Sequence, residues 1–414
     1  MINRKLEETS VIRDCIHGNI IIEYKIIQDL INTDVFQRLR RIHQLGGTFM
    51  VYPTAEHSRF THSLGVYAVV NKIIKEVEDV NANLSEHQKI VVLCAGLLHD
   101  IGHGPFSHAF EEVFSTNHEQ MGIDMIKSDT SVYSVLESYE KGLASQVASV
   151  IEKTHPNTLM IQLISSQVDA DRMDYLLRDA YNCGVSYGNF DIGRLLRSMV
   201  VVDNKIAFKE SGVHAIEDYI FARYHMYWQV YLHPTATSYE IIFSKIMKRY
   251  IQLYKDGYEF NINTKLLEPF VKHKVTSQDY LNLDESSINY YISQFQFEKD
   301  EILANLSQCF IKRGLFKYKD ILNVEQGIEL IKEAEKDLEK QKYYFEIRKV
   351  KGSFYDYYGA LNTQSIIIQA KDKSLTELYN ASPLVNAIVE SAKLKKAIKL
   401  YFHHDYMNEI KEGY

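Results

Sequence analysis

Cysteine and proline are scarce in this sequence of 414 residues, and each scarcity excludes a class of structure. The four cysteines, Cys15, Cys94, Cys183 and Cys309, lie far apart and form no CxxC pair. They therefore indicate neither a disulfide framework nor a thiolate zinc site, and they fit a reducing cytoplasm. The six prolines and the lack of a low-complexity linker leave no visible cut between domains.

Long apolar runs and blocks of one charge are also missing. The most continuous apolar stretch, residues 90–98, is far shorter than the roughly 20 residues that span a bilayer, and residues 1–10 are charged and hold no apolar signal segment. The net charge of -7 and the absence of a Lys/Arg block argue against nucleic acid as the main partner. We expect a cytoplasmic protein with no membrane span.

The hydrophobic pattern that is present has mainly the helical period, so the predicted fold class is mainly α. Strand-like alternation is rare, and we predict only a small hairpin at 199–209 and a strand at 366–370. Apolar residues recur at three- and four-residue spacing in six segments, which we predict to be helices: 24–45, 62–80, 86–99, 118–127, 171–183 and 212–232.

The composition of the chain changes near residues 255–300, where polar and Tyr-rich sequence replaces a His-rich part. A charged helix is predicted after this change, at about residues 324–342. We accordingly predict a helical catalytic core at residues 1–250 and a smaller C-terminal α+β lobe at residues 251–414.

The segment 97–108 is the strongest chemical signal, because it places three imidazoles and a carboxylate where glycine and proline break an apolar run. Neighbours on a helix point about 100° apart. His99 and Asp100 can therefore face one ion only if the helix ends there and the ion lies off its tip. The segment predicts a metal site at a helix end.

Histidine is concentrated around this segment: seven of the 16 histidines fall within residues 57–118. His62 opens one apolar helix, His99 and Asp100 close another, and the Asp-rich segment 169–175 begins a third. Two neutral imidazoles and two carboxylates form a mixed ligand set that suits Mn, Fe, Mg, Zn or Ni. Such an ion lowers the pKa of bound water to about 7 and polarises a phosphoryl oxygen, which is the chemistry of a hydrolase.

The residues around these ligands suit phosphate binding and proton transfer. Guanidinium groups match phosphate oxygens in geometry, and imidazoles titrate near neutrality. The candidates are Arg59 and Arg172 for phosphate, and His103, His108 and His118 for hydrogen bonds or the proton of the leaving oxygen. Glu119, beside His118, or a more distant carboxylate is the candidate to hold the proton of His118.

Several longer segments carry a specific resemblance. They are DCIHG at 14–18, FQRLRRIHQLGG at 36–47, YP at 52–53, HSRFTHSLGV at 57–66 and GHGPFSH at 102–108. Together with the order His62, His99-Asp100, Asp171, they resemble the HD phosphohydrolase superfamily and, within it, the deoxynucleoside triphosphate (dNTP) triphosphohydrolases. The chain is similar to the bacterial dNTPases and to the catalytic core of the animal HD restriction factor, strongly over residues 10 to about 240 and weakly beyond.

The resemblance implies a reaction and a set of residues. Water activated at a divalent metal would attack the α-phosphorus of a dNTP and release deoxynucleoside and tripolyphosphate. The implied metal ligands are His62, His99, Asp100 and Asp171. The implied catalytic group is His118 as proton donor, with Glu119 and His103. The implied contacts to the triphosphate are Arg59, His103, His108 and Arg172, and those to the sugar are Gln44, Leu45, Tyr175 and Asp179.

The same resemblance implies a homo-oligomer, a tetramer or a dimer, and a nucleotide activator beside the dNTP substrate. One departure bears on the activator. Asn32 stands where the animal enzyme has an acidic residue in its allosteric guanine site, and an amide cannot accept two guanine hydrogen bonds as a carboxylate does. This argues against guanine activation through that position.

Two other functions have to be separated from dNTP hydrolysis. An HD phosphodiesterase or pyrophosphohydrolase acting on cyclic or hyperphosphorylated guanine nucleotides would have the same metal site, but Arg59 and the predicted sugar wall at 44–45 argue against it. A nucleotide-sensing binding protein would have no need of His118.

Some histidines have alternative readings. His103 and His108 are equally suited to orienting metal ligands rather than touching phosphate. His403 and His404 look like a metal pair, but no third ligand lies near them in the sequence, so we expect them at the surface.

Overall fold

The computed structural model describes residue 2 and residues 4–128, 130–350, 355, 364–394 and 397–411. Helices dominate the described chain, which confirms the predicted mainly α class. The first thirteen are α1 (Lys25–Ile31), α2 (Asp34–Arg38), α3 (Arg59–Glu76), α4 (Glu78–Asn83), α5 (Glu86–Leu98), α6 (Ser107–Phe114), α7 (His118–Lys127), α8 (Ser131–Tyr139), α9 (Leu143–Ile151), α10 (Thr158–Ile164), α11 (Ala170–Cys183), α12 (Ile192–Ser198) and α13 (Val213–Met226).

The later helices include the longest one, α14. They are α14 (Pro234–Lys255), α15 (Glu268–Val271), α16 (Ser277–Leu281), α17 (Glu285–Phe295), α18 (Glu301–Ile311), α19 (Val324–Ala334), α20 (Leu338–Tyr344), α21 (Leu378–Ala381), α22 (Pro383–Leu394) and α23 (Met407–Lys411). Short 3-10 segments lie at Leu39–Arg41, Thr48–Met50, Glu210–Gly212 and His404–Tyr406, and a π turn at Tyr227–Tyr231 continues α13.

The strands form three small sheets. They are β1 (Lys5–Asp14), β2 (Gly18–Tyr24), β3 (Met199–Val202), β4 (Lys205–Lys209), β5 (Lys317–Ile321), β6 (Phe345–Val350), β7 (Ile367–Gln369), β8 (Leu375–Glu377) and β9 (Ala397–Phe402). β1 and β2 form an antiparallel hairpin. The second sheet has the order β3-β4-β7-β8, with β4 and β7 parallel, and the third is antiparallel with the order β5-β9-β6.

Most predicted elements are present, with boundaries shifted by a few residues. Segments 86–99, 118–127 and 171–183 are α5, α7 and α11, and the hairpin and strand of the second sheet lie where the alternation predicts them. Segment 62–80 is divided between α3 and α4, and segment 324–342 is divided between α19 and α20.

The single helix predicted over 24–45 is wrong. α1 ends at Ile31, and the Thr33 hydroxyl then caps α2 by accepting a hydrogen bond from the backbone N–H of Phe36 at 3.3 Å. Threonine is a favoured N-cap because its oxygen pairs a backbone donor that the helix leaves free. After α2 and the 3-10 turn, the chain leaves helical structure at Ile42, which is extended.

Helix α5 lies at the centre of the core and positions the predicted metal motif. The Ser85 hydroxyl accepts from the Gln88 N–H and the Gln88 side chain accepts from the Ser85 N–H, which forms a capping box at its start. Every residue from Ile90 to Leu98 is buried, and each large apolar side chain contributes about 1.5–3 kcal/mol by leaving water. The helix therefore delivers His99 and Asp100 to a fixed place at its end.

A large hydrophobic cluster runs through both predicted parts of the chain. Helix α14 joins them: Phe243 of α14 stacks on Phe106 at 4.5 Å between ring centroids, and α14 also packs against α18. The predicted division at residue 250 falls inside α14, and the two-part organisation stays a prediction. Among the described residues, no helix combines the length and the apolar character needed to cross a membrane.

Gly65 allows the closest approach of α3 to α11. A Cβ at this position would lie 1.9 Å from Oδ1 of Asp174 and 2.4 Å from a guanidinium nitrogen of Arg178. We expect Gly65→Ala to lower the free energy of unfolding by about 1–3 kcal/mol, as overpacking does. Chemical denaturation followed by circular dichroism measures the change.

The matched control is Gly193→Ala in α12. Atoms around a Cβ there lie no closer than 3.4 Å, so the gain in helix propensity, below about 1 kcal/mol, should decide the outcome. A Gly65→Ala protein as stable as the control would show that the two helices separate without cost.

Candidate active site

Four predicted metal ligands lie together at one end of the helical core. His62 is in the first turn of α3, His99 and Asp100 follow α5 directly, and Asp171 is in the first turn of α11. His62 Nε2 lies 3.0 Å from Asp171 Oδ1 and 3.7 Å from Asp100 Oδ2. His99 Nε2 lies 3.3 Å from Asp100 Oδ1 and 3.6 Å from Asp171 Oδ1. Two ligands about 2.1 Å from one ion stand roughly 3.0–3.4 Å apart, so these separations suit a shared ion.

The second nitrogen of each imidazole is held by a fixed acceptor. The buried carboxylate of Asp174 accepts from Nδ1 of His62 at 2.8 Å, and the carbonyl of Gly96 accepts from Nδ1 of His99 at 2.9 Å. Each bond places the proton on Nδ1 and leaves the Nε2 lone pair directed at the cluster. This is how metal-binding histidines are oriented in proteins.

The donor set fits a divalent ion. Nε2 of His62 and Nε2 of His99 are buried and have no hydrogen-bond partner in the described part of the chain. A ligand atom from each of His62, His99 and Asp100 lies within 4.8 Å of the others. Nitrogen and oxygen donors suit Mn, Fe, Mg, Zn and Ni alike.

Arg59 and Ser107 border the cluster on one side. Arg59 donates to Asp100 Oδ2 at 2.5 Å and to the Ser107 hydroxyl at 2.7 Å. Burial raises the pKa of Asp100, but the electrostatic influence of His99 and then of Arg59 outweighs it and holds this pKa well below its ordinary value. The carboxylate is therefore ionised and able to bind a cation.

A row of three histidines and one glutamate continues from the cluster. His103 Nε2 lies 3.3 Å from Asp100 Oδ1, and its ring stacks on that of His118 at 3.9 Å between centroids. Glu111, on α6, accepts from Nδ1 of His118 at 2.7 Å and from Nδ1 of His108 at 3.1 Å. Burial, and then the charge of Arg59, keep the pKa of His103 well below its ordinary value, so this ring is neutral.

The carboxylate that contacts His118 in the structure is Glu111, the more distant of the two kinds of candidate, and not the neighbouring Glu119. Burial raises the pKa of Glu111, but its hydrogen bonds with His108 and His118 reverse this and leave it ionised. Glu119 instead pairs with Lys153 at 3.1 Å on the exposed side of α7. Adjacent helix residues point in different directions, which is why Glu119 cannot share the contacts of His118.

The cluster and the histidine row open into a cavity of 490 Å³. The predicted substrate residues Gln44, Leu45, Arg59, His108, Tyr175 and Asp179 line it, as do Asp100, His103, His118 and Asp171. The structure thus brings into one cavity residues from five separate parts of the sequence.

One wall of the cavity suits a sugar. The Oε1 atom of Gln44 is buried and accepts no hydrogen bond from the described residues. Asp179 accepts from His57 Nε2 at 2.7 Å and from the Tyr231 hydroxyl at 2.8 Å. The Tyr175 ring packs edge-on against Tyr231, with 6.1 Å between centroids. The wall combines a free acceptor, a fixed carboxylate and two aromatic faces.

Arg172 is not placed as the sequence predicts. Its guanidinium donates to the carbonyl of Ser166 at 2.8 Å and lies 3.4 Å from a carboxylate oxygen of Asp169. Arg172 is absent from the described cavity lining and reaches it only through the Tyr175 hydroxyl, 3.4 Å away. The predicted contact with a triphosphate would therefore require its side chain to move.

Sequence reasoning missed Glu111 and Asp174, although a signal for both was present. Each lies three residues after a candidate on the same helix, Glu111 after His108 and Asp174 after Asp171. Residues at this spacing share a helix face, so each carboxylate had to lie near the site. Tyr231 and Glu240, which also line the cavity, come from distant segments and gave no local signal.

Comparisons with known proteins match the part of the chain that carries these residues. The family model described as HD domain matches residues 59–179, and the one described as HD associated region matches residues 190–262. The chain is 43% identical to the uncharacterized protein YwfO of Bacillus subtilis over 97% of this chain and 94% of that protein. It is 30% identical to the deoxynucleoside triphosphate triphosphohydrolase SAMHD1 homolog of Dictyostelium discoideum, over 76% of this chain and 60% of that protein.

A solved structure is similar over nearly the whole chain. It is the crystal structure of a phosphohydrolase from Bacteroides thetaiotaomicron, with a TM-score of 0.83 and 28% identity. The match covers 96% of this chain and 99% of the other. The similarity therefore includes the C-terminal part as well as the helices that carry the site.

Asp171 offers a direct test of the metal cluster. Its side chain is 32% exposed, so Asp171→Ala should leave the fold intact while removing one of four ligands. We expect the mutant to bind manganese at least about tenfold more weakly, since even the loss of a group that only orients a ligand costs 10–100-fold. Equilibrium dialysis with elemental analysis measures the bound metal.

The control is Asp218→Ala, which removes an exposed aspartate of α13. It should bind manganese as the wild type does. Unchanged manganese binding by Asp171→Ala would remove Asp171 from the ligand set.

Proposed function

This chain belongs to the HD-domain phosphohydrolases that carry an HD-associated region, and on that premise we propose that it is a metal-dependent dNTP triphosphohydrolase. The observation that carries the proposal is that three groups of residues meet at one cavity. They are the predicted metal ligands, the pair of His118 and Glu111, and the wall that includes Gln44. These parts correspond to the three needs of the reaction: activation of water, protonation of the leaving oxygen and recognition of a sugar.

A divalent ion held by His62, His99, Asp100 and Asp171 would supply a hydroxide near neutral pH and polarise a phosphoryl oxygen. Water attacks the α-phosphorus, and the bond from this phosphorus to the 5′-oxygen breaks. His118 gives the 5′-oxygen a proton, while Glu111 holds the opposite ring nitrogen and stabilises the charged imidazole. The products are tripolyphosphate, which contains the oxygen of the water, and deoxynucleoside.

Recognition of the sugar is the second part of the proposal. Gln44 Oε1 accepts from the 3′-hydroxyl, and Leu45 and Tyr175 close the space around the 2′-carbon. A 2′-hydroxyl in such a space is excluded by its volume and by the lack of a partner, so ribonucleotides bind poorly. Arg59 and His108 contact the triphosphate.

The resemblance of the sequence motifs to the dNTP triphosphohydrolases implies an oligomer and a nucleotide activator, and the scattered cysteines fit a reducing cytoplasm. We propose a cytoplasmic homo-oligomer, a tetramer or a dimer, whose activity responds to a nucleotide activator. Size-exclusion chromatography with light scattering, with and without nucleotides, measures the assembly. Rates with single dNTPs and with mixtures, each with and without GTP, measure the activation.

Product analysis decides the reaction. The manganese-loaded protein is incubated with each dNTP and each ribonucleotide, and products are separated by anion exchange. We expect equal amounts of tripolyphosphate and deoxynucleoside from dNTPs and little product from ribonucleotides. Asp171→Ala is the matched inactive control.

Release of orthophosphate or pyrophosphate would contradict the proposal. Cyclic and hyperphosphorylated guanine nucleotides are then the substrates to test, because an HD phosphodiesterase shares the metal site. Tight nucleotide binding without any product would instead indicate a nucleotide-sensing protein.

The proton donor is tested by three substitutions. We expect His118→Ala to lower kcat by about 10²–10⁴ with little change in substrate binding, as removal of a general acid does. Glu111→Gln keeps the ring but not its charged partner and should lower kcat by about 10–100-fold. Glu119→Gln should have no effect, because Glu119 points away from the cavity. Steady-state kinetics distinguishes the three, and a larger loss with Glu119→Gln than with Glu111→Gln would restore the sequence-based assignment.

A further inference from the structure

A second cluster of metal-binding side chains lies outside the cavity, at the contact between α18 and the end of β9. Cys309 is on α18, and His403 and His404 follow β9 directly. One ligand atom from each of the three lies within 4.8 Å of the others. The sequence could not show this cluster, because its third member is 94 residues away from His403.

From this cluster we infer that Cys309, His403 and His404 form a second metal site, which takes a thiolate-binding divalent ion of the zinc type. The inference does not depend on the proposed dNTP hydrolysis, because none of the three residues lines the cavity of the HD site.

The separation of the two buried donors suits zinc. Cys309 Sγ and His403 Nε2 are 3.2 Å apart. A sulfur about 2.3 Å and a nitrogen about 2.0–2.1 Å from a tetrahedral zinc stand roughly 3.6 Å apart. A shift of a few tenths of an ångström therefore accommodates the ion between them.

Two of the three side chains are buried and the third is exposed. Cys309 and His403 are 5% and 1% exposed, whereas the side chain of His404 is 45% exposed. The two imidazole rings are only 4.1 Å apart between centroids. Because His404 is exposed, an ion can enter the site from solvent. Three protein donors leave one position of a tetrahedral ion for water.

The surroundings fix His403 in place. Its backbone N–H donates to the carbonyl of Tyr344 at 2.9 Å, and its ring packs against the rings of Tyr344 and Phe316. Gly314 makes room on the other side, since a Cβ there would lie 3.3 Å from Cys309 Sγ. This frame holds the His403 ring and the Cys309 thiol in fixed positions beside each other.

Asp405 provides the group that orients His403 when Nε2 binds a cation. Its carboxylate oxygen lies 3.4 Å from Nδ1 of His403. In the described structure Nδ1 accepts a weak hydrogen bond from the Asp405 N–H at 3.3 Å. When Nε2 binds an ion, the ring proton moves from Nε2 to Nδ1. The Nδ1–H group then donates a hydrogen bond to the carboxylate of Asp405. The Cys309 thiol loses its proton, so one proton is released to solvent for each ion bound.

The test uses cobalt in place of zinc, because a cobalt–thiolate bond gives a charge-transfer absorption in the near ultraviolet. The full-length protein is stripped with a chelator and titrated with Co²⁺. The cluster of His62, His99, Asp100 and Asp171 offers only nitrogen and oxygen donors and cannot produce this band. We expect the band in the wild type and in Asp171→Ala, and its loss, with about one cobalt fewer per chain, in Cys309→Ser.

Two further variants make the result specific. Cys15→Ser removes an exposed cysteine that joins no such cluster among the described residues, and this variant should keep the band. His404→Ala changes a half-exposed side chain, so it should fold normally and bind cobalt at least about tenfold more weakly. A wild type without the band, or a band that survives in Cys309→Ser, would show that Cys309 and His403 form only a thiol–imidazole contact.

Discussion

The hydrogen bonds of the buried Asp174 carboxylate are the interactions on which the site of His62, His99, Asp100 and Asp171 depends. The carboxylate is fully buried and accepts from His62 Nδ1, from His17 Nε2 at 2.6 Å and from Arg178. A buried charge is tolerated only when it is paired and hydrogen-bonded, so these partners have little freedom. Because Arg178 also pairs with Asp14 at 2.8 Å, the network joins the β1–β2 hairpin to α3 and α11 and fixes the direction of His62, a predicted metal ligand.

The end of α5 explains how two adjacent residues can face one point. Neighbours within a helix point about 100° apart, whereas α5 stops at Leu98 and leaves His99 and Asp100 free to face the same place. Gly102 then lets the chain pass close to the start of α7, since a Cβ there would lie 2.1 Å from the carbonyl oxygen of His118. The segment that carries His99 and Asp100 and the start of the helix that carries His118 are therefore held together by one close backbone contact.

The parts of the site that follow from local periodicity could be predicted from the sequence. His62, His99, Asp100 and Asp171 lie at the starts and ends of helices that the spacing of apolar residues predicts, and the structure brings them together. The partner of His118 is not its neighbour in the sequence, because Glu111 lies on the preceding helix. Only the spacing of Glu111 from His108 indicated that it lies near the site. The cluster at Cys309 was invisible for a related reason, since strand pairing between β5, β6 and β9 decides which helix faces His403.

The charge of the cavity sets the final constraint. Asp100, Asp171 and Asp179 line it, with Arg59 as the arginine among the described lining residues. A carboxylate about 4 Å from a phosphate oxygen repels it by about 4 kcal/mol at an effective dielectric of 20. Burial raises the pKa of Glu240, which also lines the cavity, to about 7 and so removes part of one more negative charge. A divalent cation held by the two carboxylates of the cluster would offset their charge, so binding of the proposed triphosphate substrate should depend on the metal.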